Sequence, residues 1–393
     1  MANFSDVVIV GAGLSGLISA LYLLEHHGVA SNMITIIEGR GRVGGRLQAE
    51  QNVDVGGAWC WTSTHREVPA LARRFGIAPF PQHDEGLHVI DYGSDKPVTR
   101  HVQSALVAFP RDFVHVSVAA LLTYLESISG MKEKPHPSDS HCTCVVSTFP
   151  LQSNPKAGEP RNWRSSALLL AIPPRLVLPP LICWEPGLPA ELAEAAKATP
   201  TWMAETTKVL VTYQRPFWRE QGLSGNGMSY GEGPIQQLYD SCGPDGSEPH
   251  AVCGFIFGAG AELPSDSSLR PQVMKQLERM FGEEAKSALT FSSHRWGEQP
   301  LTDGSGGSNG GRHDNMGSPG LRKPFGARPG DGPPRVWLSA AETNPRHAGL
   351  MEGALLAGKR VAEQAIRDGA VMPKRTSETA EEKTTCASGV NVP

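Results

Sequence analysis

The sequence predicts an α/β protein in which a parallel sheet, built from separate stretches of chain, is interleaved with an α+β domain. Three observations carry this. A strand, glycine turn, helix and strand open the chain. Apolar runs of the same kind return near residues 167 and 336. The length, 393 residues, is more than one small core needs and suits two domains.

The opening elements are explicit. Asp6-Val7-Val8-Ile9-Val10 is a short β-branched run, and Gly11-Ala12-Gly13-Leu14-Ser15-Gly16 follows at once. Helical periodicity covers Leu17 to His27, and a second apolar run, Met33 to Ile37, ends in Glu38. Together they form a Rossmann-like βαβ unit for a dinucleotide. Gly11 allows the tight turn, Gly13 lets backbone N–H groups approach a diphosphate, and Gly16 lets the helix pack close to the strand. The helix N-terminus then offers unsatisfied N–H groups and a positive dipole end to the phosphates. Glu38 stands 22 residues after Gly16, where an acid bonds a ribose diol.

More glycine follows than a nicotinamide dehydrogenase needs. Glu38-Gly39-Arg40 leads into Gly41-Arg42-Val43-Gly44-Gly45-Arg46, and then comes Asp54-Val55-Gly56-Gly57-Ala58-Trp59. Arg42 and Arg46 add cationic donors suited to phosphates. The paired glycines leave backbone open to a large flat ligand. This order resembles the FAD-dependent amine oxidase family, which includes monoamine, polyamine and L-amino-acid oxidases. The resemblance continues through Ala167 to Pro174, Thr207 to Tyr213 with Arg215-Pro216-Phe217-Trp218, Val336 to Thr343, and Gly349 to Ala354. It covers residues 6–62, 167–233 and 294–367, with a shortened middle section. It implies a glutathione-reductase-type FAD-binding domain interleaved with an α+β substrate domain.

The same resemblance implies a site and a reaction. FAD would be gripped by Gly11, Gly13, Leu14, Ser15, Gly16, Glu38, Gly39, Arg40, Gly44, Gly45, Arg46, Gly56, Gly57, Ala58 and Trp59. Glu342, Met351 and Glu352 would close the site from the far end of the chain, with Glu352 capping the final helix near the ribityl chain. The implied reaction moves hydride from the carbon beside an amine nitrogen to FAD. Oxygen is then reduced to peroxide and the imine is hydrolysed. Lys208 is the expected polar side chain beside the flavin N5, and Trp296 the expected wall on the substrate side. Monoamine oxidases bind FAD through a cysteine shortly after a tryptophan. Counting on from Trp296 reaches Gly304-Ser305-Gly306, without a thiol, so FAD is expected to be non-covalent.

Departures from the family keep other readings open. Leu350 and Gly306 stand where monoamine oxidases place two tyrosines over the flavin. Between Asp84 and Asn162 the family's Gly-Gly helix start is missing, and Val145-Val146 is the one candidate for its next strand. A degenerate FAD-binding relative without amine chemistry is the second reading. A desaturase of polyenes or porphyrinogens is the third, although its large apolar channel is not evident. Arg175, Arg215 and Arg295 are candidates for a substrate carboxylate, so amine and amino acid both stay open.

The organisation is interleaved. Residues 1–80, 165–185 and 335–370 are assigned to the FAD-binding domain, and 186–300 to the substrate sheet and helix. Residues 81–164 form a partial substrate region, with an amphipathic helix near Val116 to Ser129 and a loop from Lys132 to Pro160. Leu263 to Glu283 contains a helix carrying Leu269, Val273, Leu277 and Met280. Residues 301–334 are a Gly/Pro-rich loop of a length unusual in a compact domain. Residues 371–393 read as a disordered tail. A net charge of −4 argues against a nucleic-acid partner, and no 18-residue apolar stretch suggests a membrane anchor. The seven cysteines are odd in number, and Cys142-Thr143-Cys144 lacks partners for a metal site. The first strand begins too early for a signal peptide, so a reduced, cytoplasmic setting is expected.

Overall fold

The computed structural model describes residues 3–93, 96, 98–102, 113–116, 121, 142–146, 149–150, 161–258, 265–299, 301–303, 315–326 and 334–372. Two large sheets organise them. In the first, Asn3–Val10 lies between Ile34–Ile37 and Arg161–Leu170 and is parallel to both. Arg161–Leu170 carries two more parallel strands on its other edge. Cys142–Val146 pairs with its first residues and Val336–Leu338 with its last. Val7, Val8, Ile9 and Leu168 to Leu170 are all buried, so this sheet is covered on both faces.

Leu14–His26 and Met351–Arg367 are the covering helices, and they pack on each other. Gly358 permits the contact, because a Cβ there would come within 2.5 Å of the Ser15 carbonyl oxygen. The Ser15 and Ser339 hydroxyls are 2.6 Å apart. Segments 324 residues apart in the chain therefore meet at the first glycine turn.

The second sheet runs Thr290–Arg295, Thr206–Thr212, Ala251–Phe257, Gln237–Asp240, Leu223–Ser229, Leu87–Asp91 and Thr99–Val102. Its neighbours are antiparallel except Leu223–Ser229 with Leu87–Asp91. The helix Asp266–Phe281 packs Leu269, Val273, Leu277 and Met280 against Val209 and Val211 of this sheet. A small antiparallel sheet joins Trp59–Trp61, Phe113–His115 and Phe80–Pro81.

Some expectations need correction. The stretch Lys132 to Pro160, read as loop, holds the strand Cys142–Val146, which includes the candidate Val145-Val146, and its partner Phe149–Pro150. The strand is short and set among Pro, Ser and Lys, so it carries no period-two signal of its own. The first helix begins at Leu14 and not Leu17, since the turn glycine itself is the N-cap. The helix near Val116 to Ser129 lies outside the described residues except for Val116 and Leu121, and so does residue range 373–393. The Gly/Pro-rich loop is described only in part, with a short 3-10 turn at Pro319–Arg322. No helix among the described residues is long and apolar enough to cross a membrane.

Glu352 is also corrected. It sits in the first turn of the last helix, but its carboxylate serves a different one. It accepts the backbone N–H groups of Arg66, Glu67 and Val68 at 2.8 to 3.0 Å. These are orphan donors at the start of Glu67–Arg74, a helix with no side-chain cap of its own. These amides take up the carboxylate and Glu352 does not line the cavity, a departure from the expected role near the ribityl chain. Glu352→Ala should therefore lower unfolding free energy by about 2–3 kcal/mol, as read from urea unfolding curves. A change under about 0.5 kcal/mol would contradict this cap.

Candidate active site

A cavity of about 550 Å³ opens between the two large sheets. From the first sheet and its loops come Gly11, Gly13, Leu14, Ser15, Glu38, Gly39, Arg40, Gly44, Gly45 and Arg46. Gly56, Gly57, Ala58, Trp59 and Met351 continue the lining, and Lys208 and Trp296 enter from the second sheet. The backbone explains why glycine stands here. Gly11 has φ 102°, and a Cβ on it would lie 2.6 Å from the Ala171 carbonyl oxygen. A Cβ on Gly13 would meet only the backbone of Gly44 and Gly45, 3.9 Å away, and would stand in the cavity itself.

The polar groups fit a dinucleotide. The helix Leu14–His26 has no side-chain cap, and Leu14 and Ser15 line the cavity, so its first amides open onto it. Glu38 is braced by two backbone donors, Ala12 N–H at 2.8 Å and Arg40 N–H at 2.9 Å. The Arg40 guanidinium donates to Thr302 Oγ1 at 2.6 Å. Arg46 pairs with Glu342 through both oxygens, at 2.6 and 3.0 Å.

Three expected contacts do not line the cavity: Gly16, Glu342 and Glu352. Gly16 is a packing residue, since a Cβ there would come within 2.0 Å of the Gly11 carbonyl oxygen. Glu342 is fully buried behind Arg46. Arg42 is likewise no phosphate donor. Its guanidinium binds the carbonyls of Val43, Gly45 and Leu47 and holds their loop together.

Lys208 does not face solvent. The strand Thr206–Thr212 is buried along nearly its whole length, and Lys208 is 3% exposed. Its ammonium donates to the Gly56 carbonyl at 3.1 Å and lies 4.7 Å from the Trp59 ring centre and 5.7 Å from that of Phe255. The Trp296 indole N–H donates to the next carbonyl, Val55, at 3.2 Å. One side chain of the second sheet and one of the turn after its edge strand thus dock onto adjacent peptides of the glycine-rich loop.

The walls include residues that sequence reading passed over: Phe113, Trp202, Met203 and Phe255. Phe255 had a signal, because it is the register partner of Lys208 in an evident strand pair. Trp202 and Met203 lie on an irregular connection without periodicity, where Met203 adopts φ 59°. Leu350 lines the cavity, and Gly306 lies outside the described residues. Arg175, Arg215 and Arg295 line no part of it. They face Asp303, Glu220 with Glu284, and Asp266 with Glu298.

An uncapped helix over a glycine floor, with a buried lysine opposite, defines a dinucleotide-dependent oxidoreductase. Family comparison makes that specific. The model of the flavin-containing amine oxidoreductases matches residues 14–140 and 150–366. The chain belongs to this family and is an FAD-dependent amine oxidase. A probable flavin-containing monoamine oxidase A of Dictyostelium discoideum is 24% identical, over 94% of this chain and 98% of the relative. An L-amino acid dehydrogenase of Synechocystis is also 24% identical, over 92% and 94%. Among solved structures, cyclohexylamine oxidase from Brevibacterium oxydans superposes with TM-score 0.71 at 16% identity, covering 93% of this chain and all of that one. A putrescine oxidase superposes with TM-score 0.68 at 19% identity and the same coverage.

Beside the lysine, burial first and the Lys208 charge second push His115 down to about 3. Unfolded, a histidine titrates near 6.5. The native state thus binds fewer protons than the unfolded state between those values. Stability is full above about pH 6.5 and falls as pH drops through the window, by up to ~1.4 kcal/mol per unit. His115→Phe should flatten this acid limb in urea unfolding compared at pH 7 and 4.5. An unchanged slope would remove His115 as its source.

Proposed function

We propose that this amine oxidase holds FAD without a covalent bond and acts on an apolar amine that carries no carboxylate, with oxygen as electron acceptor. The observation that carries the substrate class is the engagement of the lining cations. Arg46 is paired with Glu342, Arg40 stands with Glu38 and Thr302, and Lys208 is bonded to Gly56. The arginines considered for a substrate carboxylate all lie outside the cavity. Trp59, Trp61, Phe113, Phe255 and Trp296 give it aromatic walls. The likeness to a putrescine oxidase and a cyclohexylamine oxidase supports the amine reading and oxygen as acceptor. Among the described residues no cysteine lines the cavity, which supports a non-covalent cofactor. Cys60, Cys183, Cys242 and Cys253 are free thiols, consistent with a reduced, cytoplasmic setting.

Each residue has a physical task. Gly11, Gly13, Leu14 and Ser15 would hold the diphosphate, Glu38 the ribose, and Gly44, Gly45, Gly56, Gly57 and Ala58 the flat remainder. When bound, FAD supplies a hydride acceptor for the carbon beside the amine nitrogen. The aromatic walls orient that carbon and exclude water. Lys208 holds a polar donor at the cavity floor. The only acid lining the cavity among the described residues is Glu38, which is braced by backbone, so the substrate arrives already neutral.

The purified protein should be yellow, and acid precipitation should release all flavin into the supernatant. Apolar monoamines should bleach it without air and yield peroxide with air, and L-amino acids should do neither. Lys208→Met should slow anaerobic bleaching about 100-fold with FAD still bound. A preference for L-amino acids would overturn the substrate class, and an unchanged bleaching rate would take Lys208 out of the reaction.

A further inference from the structure

We propose that Gln82, which lies outside the cavity, is a positioning residue that fixes the ring of Trp59 and through it the ammonium of Lys208. This rests on the reading of Lys208 given above. Gln82 follows the short strand Phe80–Pro81, is buried, and is pinned by its own N–H to the Phe113 carbonyl at 3.2 Å. Its amide joins two groups of opposite demand. Oε1 accepts the Trp59 indole N–H at 2.7 Å, and Nε2 donates to the Asp240 carbonyl at 2.8 Å. An indole only donates and a carbonyl only accepts, so the amide has one allowed orientation.

The far anchor is stationary. The Asp240 carboxylate accepts Trp218 Nε1 and two nitrogens of Arg219, each at 2.8 Å, and the Cys242 N–H at 3.0 Å. The backbone N–H of Asp240 donates to Asn226 Oδ1 at 3.0 Å. Asp240 is thus held from two elements of the second sheet and by the helical turn Phe217–Glu220. The near end is different. The Trp59 ring packs against the rings of Phe113, His115, Tyr239 and Phe255, with centroids 5.7 to 6.1 Å apart. Such contacts let a ring slide. The bond to Gln82 supplies the direction they lack, and the Lys208 ammonium rests on the ring so fixed.

The test uses Gln82→Met, which keeps length and removes both bonds. In the FAD-loaded protein, anaerobic bleaching at saturating amine should slow about tenfold. FAD affinity should stay within about twofold of wild type. In FAD-free protein the ¹⁵N–¹H indole signal of Trp59, assigned by its loss in Trp59→Phe, should move upfield. In a Lys208→Met background, Gln82→Met should cost nothing further, because its effect passes through that lysine. A wild-type rate in Gln82→Met overturns the proposal, and so does an equal loss in the Lys208→Met background. If Gln82→Met does not fold, Trp59→Phe breaks the same bond from the other side. The same slowing is expected there, and a wild-type rate overturns the proposal. If Lys208→Met itself bleaches normally, the reading of Lys208 fails first and takes this proposal with it, an outcome distinct from a silent Gln82→Met alone.

Discussion

The site depends on one buried carboxylate. Glu342 is fully buried, pairs with Arg46 through both oxygens, and also accepts the Trp202 N–H at 3.3 Å. Those three residues come from the glycine-rich loop, the closing segment and the approach to the second sheet. A buried carboxylate without partners is far more costly than one fully bonded. The arrangement is therefore close to all-or-none, and the cavity walls hold their places when all three segments are present. Nearby the Gly317 N–H bonds to the Glu342 carbonyl at 2.7 Å, so the Gly/Pro-rich segment is tied to the same point.

A second seam sets where the sheets meet. Lys208 lies on the second sheet and Trp296 in the 3-10 turn Trp296–Glu298 after its edge strand, and they bond adjacent carbonyls, Gly56 and Val55. Gly56 is tightly enclosed, since a Cβ there would lie 1.9 Å from the Arg46 carbonyl oxygen. The loop that carries both acceptors is consequently packed against its own preceding turn. The lysine is positioned by backbone that cannot shift without moving Arg46, and Arg46 is held by Glu342. The glycine-rich loop and the lysine-bearing wall form one mechanical unit.

What could be read from sequence was what is locally determined. Gly11, Gly13, Gly44, Gly45 and Gly56 were legible because close backbone approach needs glycine whatever lies elsewhere. The helix Asp266–Phe281 was legible within Leu263 to Glu283, because periodicity is also local. Glu352 was misread for the opposite reason. Its position in a first turn is local, but its acceptors' partners lie 284 to 286 residues away. Arg42 fails similarly: a cation in a glycine loop suits phosphate, yet the nearest acceptors are the loop's own carbonyls. Trp202 and Met203 had no pattern to read. The strand Cys142–Val146 owes its place to the edge of Arg161–Leu170 more than to its own residues. Burial of Lys208 was foreseeable only through family resemblance, because a strand lysine more often faces water.

The charges of the cavity bear on which form of substrate can enter. Arg40, Arg46 and Lys208 line it, against Glu38 as the one lining acid among the described residues. Arg46 is balanced by Glu342. The remaining balance favours a diphosphate, which carries negative charge. For an ammonium ion it is unfavourable twice over. The aromatic wall gives a poorly hydrating surface, which penalises the charged form, and the buried Lys208 ammonium repels a like charge nearby. Aromatic faces attract cations, but Trp59 and Phe255 already face Lys208. A neutral amine suffers neither penalty and keeps the lone pair that the oxidation requires. On the proposed reading, the lysine would select against the unreactive protonation state by the same charge that would favour the nucleotide.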